Sequence, residues 1–241
     1  MPFSRFLPAR GRGAPLASLC AVCHGWGRGR LCATCVERFA PAVSRCRCCA
    51  LQTPHGIGRC GACLVDPPPY ATATTAVDYD HPWDGLITRF KFHAALDLAP
   101  AFAAQMLAAR QRESAPPPTL LLPIPLSDAR LRERGYNQAW ELARRLGRAL
   151  GCVADARLLL RVRDTPHQLA LLPEERAGNV RAAFAVEPAR RAELAGRAVT
   201  LVDDVMTTGA TVAEAARTLL QAGAREVGVW VLARTPRPDG G

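Results

Sequence analysis

The sequence predicts an α/β protein: a mostly parallel sheet with helices on both faces, preceded by a small cysteine-rich unit. Three observations carry this. From residue 70 onward, apolar runs of strand length alternate with helical patterns, the signature of parallel strands joined by crossover helices. Leu201–Val212 reads as a strand ending in two carboxylates, then a small hydroxyl-rich turn, then a helix. Nine of the ten cysteines fall within residues 1–70, and eight of them form C-x-x-C pairs.

Residues 1–17 carry Arg5, Arg10 and Arg12, but Pro2, Pro8 and Pro15 interrupt any apolar stretch. They read as a flexible basic arm rather than a signal peptide. The pairs Cys20/Cys23, Cys32/Cys35, Cys46/Cys49 and Cys60/Cys63 follow over residues 18–66. Each places two thiolates on one tight turn, half of a tetrahedral zinc site. Eight residues separate the first two pairs and ten the last two, so two consecutive zinc ribbons, holding one or two zinc ions, are expected. A disulfide framework is the competing account, but C-x-x-C repeats without a secretory signal favour metal. Cys48 is either a spare thiol or a competitor of Cys49, and His24 and His55 read as loop histidines.

Net charge is +10, and 30 of the 31 basic residues are Arg; the sole lysine is Lys91. A GC-rich coding bias accounts for that skew, although arginine also suits phosphate. The excess sits in residues 1–70, where nine Arg face only Glu37 and Asp66. Two zinc ions on eight thiolates would add −4 there, so the region is milder than its formal +7.

Pro67-Pro68-Pro69 is a stiff linker, and the second domain is expected over residues 70–241. Tyr70 to Tyr79 has strand composition. A short helix is expected from Asp84 to Phe90, and a longer one from Leu98 to Arg110 with Leu98, Phe102, Met106 and Ala109 on one face. Pro116–Pro118 ends it. Leu120 to Ile124 is a buried-strand candidate. A basic loop runs from Pro125 to Gln138, and a helix then reaches Leu150, with Trp140, Ala143, Leu146, Ala149 and Leu150 inward. Ala198–Val202 and Glu226–Leu232 are further strands. No apolar run approaches the length that crosses a membrane.

Ala198–Val202 ends at Asp203 and Asp204 and is followed by Thr207-Thr208-Gly209-Ala210-Thr211. A helix N-terminus offers unpaired amides and a positive dipole, so it binds an anion. Gly209 lets the backbone come close, and the threonines add hydroxyl donors. The aspartates are wrong for phosphate but suit the hydroxyls of a ribose or a hydrated Mg²⁺. One ligand carrying both a phosphate and a sugar diol accounts for the whole segment.

Ligands of open α/β sheets sit at the carboxyl ends of the strands. The loop after Ile124, with Arg130, Arg132 and Arg134, meets that condition, and its alternative reading is a solvated basic loop. Residues 161–181 form a long polar stretch with Arg163, Gln168 and Arg176. It reads either as a lid or as a surface excursion.

Leu201–Val212 resembles the ribose-5-phosphate loop of type I phosphoribosyltransferases, which bind phosphoribosyl pyrophosphate (PRPP). Phe90-Lys-Phe-His93, Pro123-Ile-Pro125, Leu131-Arg-Glu-Arg-Gly-Tyr-Asn-Gln138, Thr165 with Gln168, Arg176 with Asn179, Phe184 and the N-terminal cysteine pairs extend the likeness. Together they are similar to the ComF family of competence-associated proteins over about residues 18–236. The resemblance implies a type I phosphoribosyltransferase-like fold and a cytoplasmic role in DNA uptake. It implies PRPP binding through Val205, Met206, Thr207, Thr208, Gly209, Ala210 and Thr211. Asp203 and Asp204 would be the catalytic acids on the ribose diol, and Pro125, Arg130 and Arg134 the pyrophosphate loop. Mg²⁺ would come with PRPP, and Arg163, Gln168 and Arg176 would form the lid. It names no acceptor. Two functions stand: a phosphoribosyltransferase, or a module that binds single-stranded DNA or an uptake-machinery protein while the transferase fold senses PRPP or serves as scaffold.

Overall fold

The computed structural model describes residues 17–113, 117–163 and 182–237. Strands β1 (Ala17–Leu19) and β2 (Trp26–Arg28) pair antiparallel, and helix α1 (Ala33–Phe39) starts after Cys32 and carries Cys35 in its first turn. Helix α2 (Gly61–Val65) likewise starts after Cys60 and carries Cys63. Downstream come β3 (Thr72–Asp78), α3 (Trp83–Phe92), α4 (Ala99–Gln111) and β4 (Leu120–Pro123). Next come α5 (Asp128–Arg134), α6 (Gln138–Leu150), β5 (Val153–Ala154), β6 (Leu159–Arg161) and β7 (Phe184–Val186). Strand β8 (Ala198–Met206), helix α7 (Ala210–Gln221) and strand β9 (Glu226–Arg234) follow.

Five strands form one sheet in the order β3-β9-β8-β4-β5, and every pairing in it is parallel. Parallel sheets bury both faces, so their strands read as continuous apolar runs. Along β9, Val227, Val229 and Val231 enter a core shared with Ala215, Ala216 and Leu219 of α7. Trp230 and Leu232 enter the opposite core, shared with Phe90 of α3, Phe102 of α4 and Leu142 of α6. Helices therefore cover both faces. All four apolar residues expected on one face of the long helix, Leu98, Phe102, Met106 and Ala109, are buried.

Four expectations need correction. The stretch 125–138 is not all loop. Ser127 caps α5 by accepting the Arg130 N–H, and Gly135 closes it at φ 80°. Ala149 is exposed rather than inward, while Leu146 and Leu150 on either side of it hold the packed face. Helix α4 stops at Gln111, ahead of the prolines. Strand β8 runs on to Met206, since Asp203, Val205 and Met206 still pair with Val231, Ala233 and Arg234 of β9. The two aspartates are thus held in a rigid strand rather than at a loose tip.

The cysteine-rich unit is fastened to the sheet. Trp83 Nε1 donates to the Phe39 carbonyl at 2.5 Å, Arg45 pairs with Asp78 at 2.8 Å, and the Ala73 N–H donates to the Arg47 carbonyl at 2.7 Å. Strands β6 and β7 pair as an antiparallel ribbon, which brings together the two ends of the intervening stretch. Gln168 and Arg176 lie outside the described residues, as do residues 1–16; Arg163 is exposed just beyond the ribbon.

Candidate functional site

The site forms where β4 ends beside Val202, ahead of the last turn-ward residues of β8. Pro123 pairs with Val202, and the Ile124 N–H donates to the Val202 carbonyl at 2.9 Å. That register places the loop from Pro125 next to Asp203 and Asp204. Asn137 caps α6 and donates its Nδ2 to the Ile124 carbonyl at 3.0 Å, pinning the loop from its far end. Arg130 is half-buried on α5, while the Arg134 guanidinium lies 4.9 Å from the ring centroid of Phe92. Arg134 therefore stacks on α3 at the rim of the site.

Asp204 is buried, and its Oδ1 lies 3.0 Å from Lys91 Nζ on α3. Asp203 is half-buried and accepts the Asp204 N–H at 2.8 Å. Burial and the neighbouring Asp204 carboxylate push the Asp203 carboxyl up to about 7, with Lys91 opposing. Two carboxylates and one ammonium thus share the strand end. Sequence reasoning assigned Lys91 no role. Its signal was compositional, a single lysine among 30 arginines.

The turn after β8 is exposed at Thr207 and Thr208 and enters α7 through Gly209. Gly209 has φ 86°, and no side chain caps the helix. A Cβ at Gly209 would lie 3.4 Å from the Tyr70 hydroxyl and would be strained at that φ. The Ala210 N–H donates to the Thr208 hydroxyl oxygen at 3.3 Å, and the N-terminus of α7 with this turn presents the kind of surface that accepts an anion. Beside the turn lies a cavity of about 540 Å³ lined by Tyr70, Thr207, Gly209, Arg217 and Arg234, and it reaches Cys49 of the cysteine-rich unit.

Arg234 closes the underside of the turn. It is buried and donates to the carbonyls of Met206 at 3.0 Å, of Thr207, and of Thr235 at 2.8 Å. Its Nε donates to the Cys49 carbonyl at 2.8 Å.

The cysteines resolve into two tetrads, Cys20/Cys23/Cys32/Cys35 and Cys46/Cys49/Cys60/Cys63, each with its sulfurs within 4.8 Å of one another. The Cys23–Cys32 and Cys49–Cys60 sulfurs are 3.7 Å apart. Tetrahedral ligation at a Zn–S distance of about 2.3 Å requires roughly this separation, and a disulfide would need about 2.05 Å. Either tetrad can therefore hold a metal ion. Cys48 is buried outside the second tetrad, so Cys49 is the ligand of that pair. Among the described residues, no histidine joins either set.

Each tetrad also contains one acidified thiol. For Cys20, burial works against ionisation, but backbone N–H groups of Cys23, Cys32 and Val22 outweigh it and bring the thiol down to about 6. For Cys46, burial is likewise outweighed by N–H groups of Cys60, Cys49 and Cys48, again to about 6. Burial pushes Cys35 up to about 12, with neighbouring thiols adding to it, and pushes Cys49 up to about 11 against the opposing Leu51 N–H. One ready thiolate among reluctant ones is what a cation completes.

Comparisons with known proteins agree with this picture. The phosphoribosyl transferase domain family matches residues 133–239. The chain is 36% identical over 219 residues to the DNA utilization protein YhgH of Salmonella typhi, spanning 89% of this chain and 93% of that protein. It is 35% identical over 224 residues to YhgH of Escherichia coli K12, covering 91% and 97% of the two chains. It is 31% identical over 222 residues to competence protein F of Haemophilus influenzae, covering 89% and 96%.

Proposed function

We infer the function from one premise: this chain belongs to the ComF family of competence-associated proteins, with a phosphoribosyltransferase-like domain behind an N-terminal cysteine cluster. We propose that it binds PRPP. The 5′-phosphate rests on Thr207–Thr211, the ribose diol on Asp203 and Asp204, and the pyrophosphate against the loop from Pro125 to Arg134. The supporting observation is the register of the adjacent parallel strands β4 and β8, which sets the loop after Ile124 beside Asp203 and Asp204 at the switch-point position where open α/β sheets hold ligands.

In the transfer reading, an acceptor nitrogen attacks C1 of the ribose, and pyrophosphate leaves with the electron pair of the C–O bond. No side chain need act as a covalent nucleophile. Asp203 and Asp204 orient the sugar and balance developing positive charge on it, while Arg130 faces the departing anion. A magnesium ion brought in on the pyrophosphate would neutralise part of its charge. Cys20, Cys23, Cys32 and Cys35 together, and likewise Cys46, Cys49, Cys60 and Cys63, would hold a zinc ion that ties the N-terminal unit together. The names of the relatives support a role in DNA utilization or competence, and we place that role in the cytoplasm.

Calorimetric titration of PRPP with Mg²⁺ tests the ligand; no heat at millimolar PRPP sinks the reading. A screen for pyrophosphate release across nucleobases tests transfer, and activity that survives Asp203→Ala with Asp204→Ala did not arise here.

A second reading has its own observation. Trp26 is 75% exposed on the β1–β2 ribbon, beside Arg28. An exposed indole next to a guanidinium suits stacking on single-stranded DNA. Gel shifts with labelled single strands at two salt concentrations decide, since phosphate-driven binding is strongest at low salt.

A further inference from the structure

Lys91 stands 3.0 Å from Asp204 Oδ1, and both side chains are largely withdrawn from water, at 22% and 7% exposure. Its neighbours fix it there. Phe90 is fully buried in the core beneath α3, and the Tyr136 hydroxyl donates to the Phe90 carbonyl. The ammonium is thus carried by a rigid helix to a buried carboxylate, not by a flexible loop. A divalent cation approaching the same carboxylates would meet a unit positive charge already in contact with Asp204, in a setting where water screens poorly. A ribose diol meets no such barrier, because its hydroxyls donate to carboxylate oxygens without bringing charge.

The geometry points to Lys91 as a specificity-determining residue, a resident counter-cation that makes Asp203 and Asp204 a diol receptor and excludes a free divalent metal ion from them. Metal then reaches the site only on the pyrophosphate of the substrate. This rests on the reading of the acidic pair as the ribose subsite.

The experiment uses Mn²⁺ alone, without PRPP, and reads free Mn²⁺ by electron paramagnetic resonance on zinc-loaded full-length protein. Mn²⁺ prefers oxygen ligands and leaves the thiolate tetrads alone. Wild type should show no binding that Asp203→Asn with Asp204→Asn removes. Lys91→Met should gain such binding, tighter by about tenfold or more, because the repelling charge is gone. Lys91→Arg should behave as wild type. Lys91→Gln replaces the methionine variant if that fails to retain zinc. Wild type binding Mn²⁺ at the acidic pair as tightly as Lys91→Met overturns the proposal, as does Lys91→Arg gaining metal like Lys91→Met. PRPP titration of the same proteins is scored separately, so loss of PRPP binding counts against the function and not against the role of Lys91.

Discussion

Arg234 Nε donates to the carbonyl of Cys49 at 2.8 Å while the same guanidinium grips the Met206 carbonyl at 3.0 Å. One buried cation therefore spans the second cysteine tetrad and the start of the candidate phosphate turn. Hydrogen bonds from a charged donor contribute about 1.5–3 kcal/mol each. Arg234→Met should weaken PRPP binding by about 10–100-fold and speed release of metal from the second tetrad more than from the first. Calorimetry and a chromogenic chelator read the two effects; undisturbed metal release would show that the two sites are independent.

Gly209 sits at φ 86° with the Tyr70 hydroxyl close by. Gly209→Ala should cost about 1–2 kcal/mol of stability from the left-handed backbone alone and should weaken phosphate affinity further by displacing the turn. Urea unfolding measures the first and phosphate titration the second. Tyr70→Phe in the same background should relieve part of the crowding but none of the backbone strain.

Asp203 titrates high, at about 7 against an ordinary value of 3.8, because burial and the Asp204 carboxylate disfavour its charge. A folded pKa above the unfolded one means the folded chain holds the proton more tightly. That stabilisation is fully present below pH 3.8 and is lost as pH rises through about 7. Stability of wild type relative to Asp203→Asn should accordingly fall between pH 4 and pH 8. A difference that stays flat over that window would mean that Asp203 is ionised throughout.

Cys48 and Cys49 are adjacent but differ in role, since only Cys49 belongs to a tetrad. Cys49→Ser should lower bound metal from two equivalents toward one, and Cys48→Ser should leave it at two. Atomic absorption on freshly purified protein separates the outcomes.

What the sequence made legible was local. The C-x-x-C pairs, the Asp-Asp run and the Thr-Thr-Gly turn each express their chemistry within a few residues, and the strands declared themselves because burial on two faces leaves continuous apolar runs. What stayed hidden depends on long-range packing. Lys91 meets Asp204, and Arg234 meets Cys49, across spans that no periodicity records. Helix α5 was missed because Leu131 is its only large apolar residue, so no stripe exists to read. The cap Ser127 and the stop at Gly135 were available as boundary signals.

The family match begins at residue 133, yet β3 and α3 lie upstream of it. Strand β3 forms the sheet edge on β9, and α3 delivers the ammonium to Asp204. The transferase-like portion is therefore not a detachable cassette. A fragment cut to the matched boundaries would keep the phosphate turn but lose two of the five sheet strands, β3 at the edge and β4 in the interior, and the electrostatic partner of its acidic pair. Any transplant or minimal version of the transferase-like portion has to keep β3 and α3 along with the matched residues.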